Sequence, residues 1–343
     1  MHIGKFFLCS FFFLFFGLLT AAKGFNQRVA QYYLSKNKAE LSIVNGHYGD
    51  ALKQYKHAFR LHAPLARDLF NAFVVAYYEK DTAAAQSYYN GLVLHGYEKR
   101  YFEGLAGYND FVTQILKDPF YAYLSRPYDS LLAVLKRSDL PVKAAILDSI
   151  MEIDQNTRLR GYEDGMNRKS YRDSLAETDH IAIRALIGYC RQYGFPGFDQ
   201  VGLCEKRVKQ PMNLGTFYSV FWHQRGHNKT LDAIARTAVM NGAFEAQDYA
   251  VIADQYNNRY DTVLPENYAS LGFRLPAGAP IDEVRVNRDR AAIYLESLAD
   301  YRKKMAFQKK DNRFYLVNMF AYGFNNGQPG KSTQDHSGTE SVR

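Results

Sequence analysis

The feature of this sequence that most constrains its fold is a period of 34 residues in the first third of the chain. Ala51 and Tyr55 are followed 34 positions later by Ala85 and Tyr89. A small residue lets two helices approach closely, and an aromatic residue four positions further on lies on the same helix face. The period therefore predicts stacked pairs of helices, and with them an all-α fold.

This stretch resembles the tetratricopeptide repeat. The first copy keeps the glycine of that family at Gly46 and its proline at Pro64, whereas the second copy has Lys80 in the glycine position. The resemblance implies a helical region over residues 26–135 that holds a protein or peptide partner in its concave groove. Because each repeat buries its apolar face only against a neighbour, a short pair that serves as a packing platform is the alternative.

A third copy over Phe102–Leu124 is degenerate. Tyr123 stands in register with Tyr89, but Pro119 occupies the position of the small residue. We therefore expect residues Phe102–Leu135 to cap the pair of repeats and to join it to the region that follows.

A second helical pattern begins near position 144. Leu147 and Met151 lie on an apolar stripe, and at about 100° per residue Asp154 and Arg158 continue that stripe. The sequence therefore predicts a helical domain over residues 144–304, with an acid and a base on the buried face of its first helix. Further helices are predicted over Asp179–Tyr193 (N-capped by Thr178 or Asp179 and ended by Gly194), Leu214–Arg225, Leu231–Met240, Glu245–Tyr256 and Asp282 to about Lys304. The pattern over Phe314–Phe320 fits either a helix or a strand, and residues 323–343 are expected to form a flexible tail.

The second region also resembles a bacterial family known only as a domain of unknown function. The family pattern contains Asp-Gln-x-x-Arg, Tyr-Gly-Trp-Pro, Val-Gly and Gln-His motifs in this order. Matching positions in this chain are Asp154, Gln155, Arg158, Tyr193, Gly194, Pro196, Val201, Gly202, His223, Ala250, Asp254, Tyr268, Arg290, Leu295, Asp300 and Tyr301. The chain departs from the pattern at Phe195, Trp222, Gln255, Glu266, Ala269, Ser270 and Tyr294. The resemblance implies where a site lies and gives no reaction.

The candidate site residues are Asp154, Arg158, His223 and Asp254. As a hydrolase-like enzyme, the protein would use Asp154 or Asp254 as acid or base, His223 as proton carrier and Arg158 to bind an anionic group. The alternative is that Asp154 and Arg158 form a structural ion pair. His223 and His227 have the spacing of two zinc ligands, but neither the glutamate of the zinc-protease motif nor a third ligand is marked, so we predict no metal and no cofactor.

The N-terminus resembles a secretory signal. Lys5 precedes the apolar run Phe6–Leu19, and small residues follow at positions 20–24. Because about 20 apolar residues are needed to span a bilayer, we interpret residues 1–22 as a cleaved signal peptide, with an uncleaved anchor as the alternative. The expected location is extracytoplasmic, periplasmic or secreted in a bacterium, with no transmembrane span after cleavage.

The charge distribution bears on nucleic-acid binding, and the cysteine content bears on disulfide formation. The formal net charge is +8, but Lys and Arg are scattered rather than clustered, so we do not expect nucleic-acid binding. After signal cleavage, Cys190 and Cys204 remain, and both a disulfide and two buried thiols fit an oxidising compartment. We therefore predict an exported binding or scaffolding module of unknown ligand, with the hydrolase-like enzyme as the alternative.

Overall fold

The computed structural model describes residues 27–163, 168–197, 220–221, 228–259 and 281–317. Within these ranges the regular structure is helical and contains no strand, which confirms the predicted all-α fold. No helix in the same ranges is both long and apolar enough to cross a membrane. The predicted signal peptide and the predicted tail lie outside the described residues.

The repeat region begins with two helix pairs, α1 (27–44) with α2 (Tyr48–Leu61), and α3 (Ala66–Tyr78) with α4 (Thr82–Leu94). Ala51 and Ala85 are fully buried, as expected for the small residues at helix crossings. The turn within each pair needs a left-handed residue. Gly46 supplies it in the first pair with φ +75°, and Lys80 adopts φ +58° at the equivalent position.

The third copy and the residues on either side of it form short helices, α5 (Lys99–Glu103), α6 (Asp110–Ile115), α7 (Pro119–Leu124) and α8 (Tyr128–Lys136). Pro119 begins α7 because proline suits the first turn of a helix, and the Asp118 side chain caps that turn by accepting from the Phe120 N–H. The predicted register is wrong by two positions. Tyr121 is the buried aromatic residue of α7, whereas Tyr123 is 46% exposed.

The following helices are α9 (Leu140–Glu163), α10 (Arg168–Tyr193), α11 (Lys229–Met240) and α12 (Ala246–Arg259). The predicted N-cap of α10 at Thr178 or Asp179 is wrong, since both residues lie buried inside the helix. Thr178 hydrogen-bonds the Thr157 hydroxyl of α9 instead of a helix terminus. The predicted end is confirmed, with Gly194 at φ +83°. Most of the helix predicted over Leu214–Arg225 lies outside the described residues.

The single helix predicted from Asp282 to about Lys304 is wrong. It is two helices, α13 (Glu283–Ala291) and α14 (Leu298–Gln308). Tyr294 adopts φ +65° between them, and Ser297 caps α14 by accepting from the Asp300 N–H. The Asn287 side chain also accepts from the Leu298 N–H. The sequence did not show this break because apolar residues continue on both sides of it. The side chains that cap the helices are polar, and such residues also occur on the exposed face of an unbroken amphipathic helix.

Residues 311–317, here called the C-terminal segment, form neither a helix nor a strand. Side-chain amides hold their backbone. Asn71 accepts from the Tyr315 N–H at 2.8 Å and donates to the Tyr315 carbonyl at 3.0 Å, while Gln308 accepts from the Leu316 and Val317 N–H groups. These bonds satisfy buried backbone groups that have no strand partner.

The face of α1 and α3 that lies away from α2 and α4, here called the A-helix face, is covered by the chain itself. Tyr33 donates to the Phe244 carbonyl just before α12, and Phe70 packs on Tyr315 with ring centroids 5.0 Å apart. One hydrophobic core includes residues from α1 to the C-terminal segment. On this face the repeat is therefore a packing platform.

Candidate functional site

Asp154 and Arg158 continue the buried face of α9, as the sequence predicts. Asp154 is fully buried, beside the buried Leu147 and Met151 of the same stripe. Arg158 lies between Asp154, at 3.4 Å, and Asp179 of α10, to which it donates a short hydrogen bond. Its side chain is 17% exposed. This α9–α10 tie is an interhelical ion cluster that joins the two longest described helices.

Of the other predicted site residues, Asp254 lies within the described ranges. Asp254 is fully buried on α12. His223 and His227 lie outside the described residues, as does Cys204. Cys190 is buried in α10, and burial raises the pKa of its thiol to about 12. No group of three or more His, Cys, Asp or Glu side chains in the described ranges is arranged to hold a metal ion.

A larger set of buried charges lies on the A-helix face, and sequence reasoning missed it. We call it the A-face cluster. Lys36 of α1 is its centre, with its ammonium 2.6 Å from Glu245 and 3.2 Å from Asp68. Arg67 of α3 donates to both carboxylate oxygens of Asp248 at 2.8 and 3.0 Å. The members, all buried, are Lys36, Glu40, Arg67, Asp68, Glu245, Asp248, Arg290, Glu296 and Lys304.

The same cluster anchors the C-terminal helices. Lys304 of α14 forms a short hydrogen bond with Glu40 and lies 3.3 Å from Glu296. Arg290 donates to the Glu296 carbonyl at 2.7 Å and to its carboxylate at 3.2 Å. These bonds link α1, α13 and α14, elements that no short sequence motif connects.

Burial and the neighbouring charges shift the pKa values of the carboxyl groups in the A-face cluster, where four cations face five carboxylates. Burial raises the pKa of Asp68 to about 7, against the opposing effect of Lys36. Burial also opposes ionisation of Glu245, but Lys36 and Arg67 outweigh it and lower that pKa. Burial alone would lower the pKa of Lys36, yet Asp68, Glu245 and Glu40 together raise it well above its ordinary value. The cluster is therefore a framework of buried ion pairs in which the carboxyl group of Asp68 titrates near neutral pH.

An open pocket lies on another surface of the repeat, where the end of α3 and the start of α4 meet α7. Its volume is about 290 Å³. That volume is near the lower end of the range of small-ligand sites, about 300–1,000 Å³. We call its half-buried aromatic residues the walls, its fully buried alanines the floor, and its one cation and one anion the rim. The lining residues are Ala76, Tyr77, Tyr78, Lys80, Thr82, Ala85, Asp118 and Phe120.

Hydrogen bonds hold the aromatic walls of the pocket in place. The Tyr77 hydroxyl donates to Asp118 at 2.6 Å, and the Tyr78 hydroxyl donates to Gln114 at 2.9 Å. Burial and the Asp118 carboxylate raise the pKa of Tyr77 to about 12. The Tyr77 hydroxyl and the Phe120 N–H lower the pKa of Asp118. The carboxylate is therefore ionised at neutral pH and is engaged by its own chain.

Lys80 gives the rim a cation. Its side chain is exposed and forms no ion pair within the described part of the chain. A lysine in the left-handed region is strained, and such strain is found more often at binding sites than elsewhere. The sequence carried a signal for this position, because Lys80 replaces the glycine of the repeat.

No protein-family model matches this sequence. No curated protein matches it, and no solved structure does. The candidate sites therefore rest on the residues and contacts described above.

Proposed function

We propose that this protein is an extracytoplasmic binding module that holds a peptide segment of a partner protein in the pocket between α3, α4 and α7. The observation that carries the proposal is the pocket itself, with Tyr77 and Phe120 as walls, an alanine floor and about 290 Å³ of open space. Such a pocket suits one bulky apolar side chain, since burying an aromatic or aliphatic group contributes about 1.5–3 kcal/mol.

The charges of the rim favour an acidic neighbour for that side chain. Asp118 is engaged by Tyr77 and by the Phe120 N–H, whereas the Lys80 ammonium is exposed and has no described carboxylate partner. The formal net charge of +8 also attracts acidic partners over longer distances. The preferred peptide therefore carries a large apolar residue next to Asp or Glu.

Selection of random peptides displayed on phage, with the immobilised protein as bait, tests this proposal. Enriched peptides should share an apolar residue flanked by an acidic one, and fluorescence anisotropy should give their dissociation constants. Phe120→Ala should weaken binding about tenfold or more, because it removes a wall of the pocket.

Lys80→Gly tests the charge of the rim more specifically than Phe120→Ala does. It removes the ammonium while glycine keeps the left-handed turn, so stability should be unchanged or higher by up to about 1 kcal/mol. The peptide should bind about two- to fivefold more weakly, as expected for an exposed ion pair. Lys53→Ala, at an exposed lysine of α2, is the matched control and should bind normally. Absence of any enriched peptide, or unchanged binding to Phe120→Ala, contradicts the proposal.

Export is proposed from the N-terminal sequence. N-terminal sequencing of the mature protein should begin near Lys23 or Phe25, since small residues suited to signal peptidase lie at positions 20–24. Recovery of membrane-bound protein with an intact Met1 contradicts cleavage.

A further inference from the structure

Arg313 of the C-terminal segment reaches the repeat region beside the pocket. Its guanidinium lies over the ring of Tyr78, 5.0 Å from the ring centroid, and donates to the Tyr48 hydroxyl at 3.0 Å. Asp311 holds the other side of the guanidinium, with N–O distances of 2.6 and 2.9 Å. The Asp311 carboxylate thus holds the guanidinium, while the planar face of the guanidinium lies against the ring of Tyr78.

Tyr78 is the element that connects this arginine to the pocket. Tyr78 lines the pocket, and its hydroxyl donates to Gln114. Its ring also packs against Tyr48, with centroids 5.8 Å apart. Arg313 therefore contacts both Tyr78, which lines the pocket, and Tyr48, which packs against Tyr78.

The backbone that carries Arg313 is fixed independently of the pocket. Asn71 binds the main chain of Tyr315, and Asn109 donates to the Asn312 carbonyl at 2.6 Å. Because Asp311 and the fixed backbone hold the guanidinium against the Tyr78 ring, they restrict the rotamers of Tyr78 without contact to a ligand.

We infer that Arg313 is a positioning residue for the ligand pocket, so that peptide binding depends on the docking of the C-terminal segment. The inference rests on the proposed function. It extends that function by making the pocket composite, with Tyr78 supplied by the repeat and its support supplied by residues more than two hundred positions further along the chain.

The experiment compares the full-length wild type with Arg313→Ala and Arg313→Lys, using a peptide enriched on the wild type. Arg313→Ala should weaken binding about five- to tenfold, because the support of Tyr78 is lost. Arg313→Lys keeps a cation over the ring but loses the forked hydrogen bonds, so its peptide affinity should lie between that of the wild type and that of Arg313→Ala. Arg302→Ala removes an equal charge from an exposed arginine paired with Glu283 and should bind like the wild type.

A fluorine NMR spectrum of protein labelled with 3-fluorotyrosine separates positioning from general destabilisation. The Tyr78 resonance, assigned by Tyr78→Phe, should shift or broaden in Arg313→Ala, while the resonance of the buried Tyr121 should stay in place. If Arg313→Ala does not fold, the peptide affinity and the Tyr78 resonance of Arg313→Lys test whether Arg313 positions Tyr78.

The outcomes distinguish the two proposals. A wild type that binds peptide together with an Arg313→Ala variant that binds within twofold of it, or an unmoved Tyr78 resonance, overturns the inference and leaves the proposed function standing. A wild type that enriches no peptide overturns the proposed function and, with it, any role of Arg313 in binding.

Discussion

The α9–α10 tie and the A-face cluster both bury charged groups, but they are assembled over very different distances along the chain. In the tie, Asp154 and Arg158 are one helical turn apart, and Asp179 comes from the next helix. In the A-face cluster, Lys36 and Glu245 are separated by 209 positions. A cluster built within one helix and its neighbour leaves a periodic pattern in the sequence, whereas one built across the whole chain leaves none.

The two clusters also differ in redundancy. Arg158 is 17% exposed and has a carboxylate on each of two helices. The Lys36 side chain is 6% exposed and is the cation that faces both Asp68 and Glu245. A group that water can reach, and that keeps a second partner, is less costly to disturb than one that is sealed and shared.

The largest expected effect is that of Lys36→Met, which keeps most of the volume and removes the charge. Asp68 and Glu245 would then be buried without their cation, and the free energy of unfolding should fall by about 3–5 kcal/mol. Denaturant unfolding measures this loss, or poor expression reveals it. Lys53→Met, at an exposed position of α2, is the control and should change stability by less than about 0.5 kcal/mol. A variant as stable as the control would show that the A-face cluster contributes little.

Asp154→Ala should cost less, about 1–3 kcal/mol, because Arg158 keeps Asp179 and partial access to water. Asp50→Ala, which removes an exposed carboxylate from α2, serves as the control in the same thermal and denaturant melts. A loss as large as that of Lys36→Met would remove the distinction between the clusters. An unchanged melt would instead favour the sequence-derived alternative, in which Asp154 and Arg158 face a ligand.

The smallest expected effect is a pH dependence that comes from the A-face cluster. The pKa of Asp68 is raised to about 7, whereas an Asp in an unfolded chain has a pKa of about 3.9. Between these values the folded protein keeps a proton that the unfolded chain has released. The free energy of unfolding should therefore fall as the pH rises through this window, by about 1–2 kcal/mol between pH 6 and pH 8.

The Tyr32 hydroxyl donates a hydrogen bond to the Asp68 carboxylate. Asp68→Asn tests that assignment, since the asparagine oxygen can still accept this bond while the titration is removed. Its unfolding free energy should vary less with pH, with a remainder from Glu40, whose pKa burial also raises. The pKa values of Glu245 and Glu296 are lowered, so they oppose the trend only below about pH 4.5, outside the measured range. A wild type that is equally stable at pH 8 and pH 6 contradicts the assignment.

The candidate pocket could be located only in part from the sequence. Lys80 stood out against the glycine of the repeat, and the helix pair around it was readable from the period of 34 residues. Asp118 and Phe120 carried no signal, because the third copy lost its register at Pro119. The break at Tyr294 and the amide-bound C-terminal segment were also missed, since both depend on polar side chains that satisfy backbone groups from a distance.

By itself the sequence determined the features that repeat within a few helical turns: the all-α class, the paired helices marked by Ala51 and Ala85, and the stripe of α9 on which Asp154 is buried and Arg158 is half-buried. The tertiary structure decided which surfaces stay open. It covered the A-helix face with α12 and the C-terminal segment, opened a pocket beside Tyr77, and placed Arg313 behind Tyr78. The physical reason is that local periodicity records which side of a helix is buried, whereas the identity of what buries it depends on contacts between residues far apart in the chain.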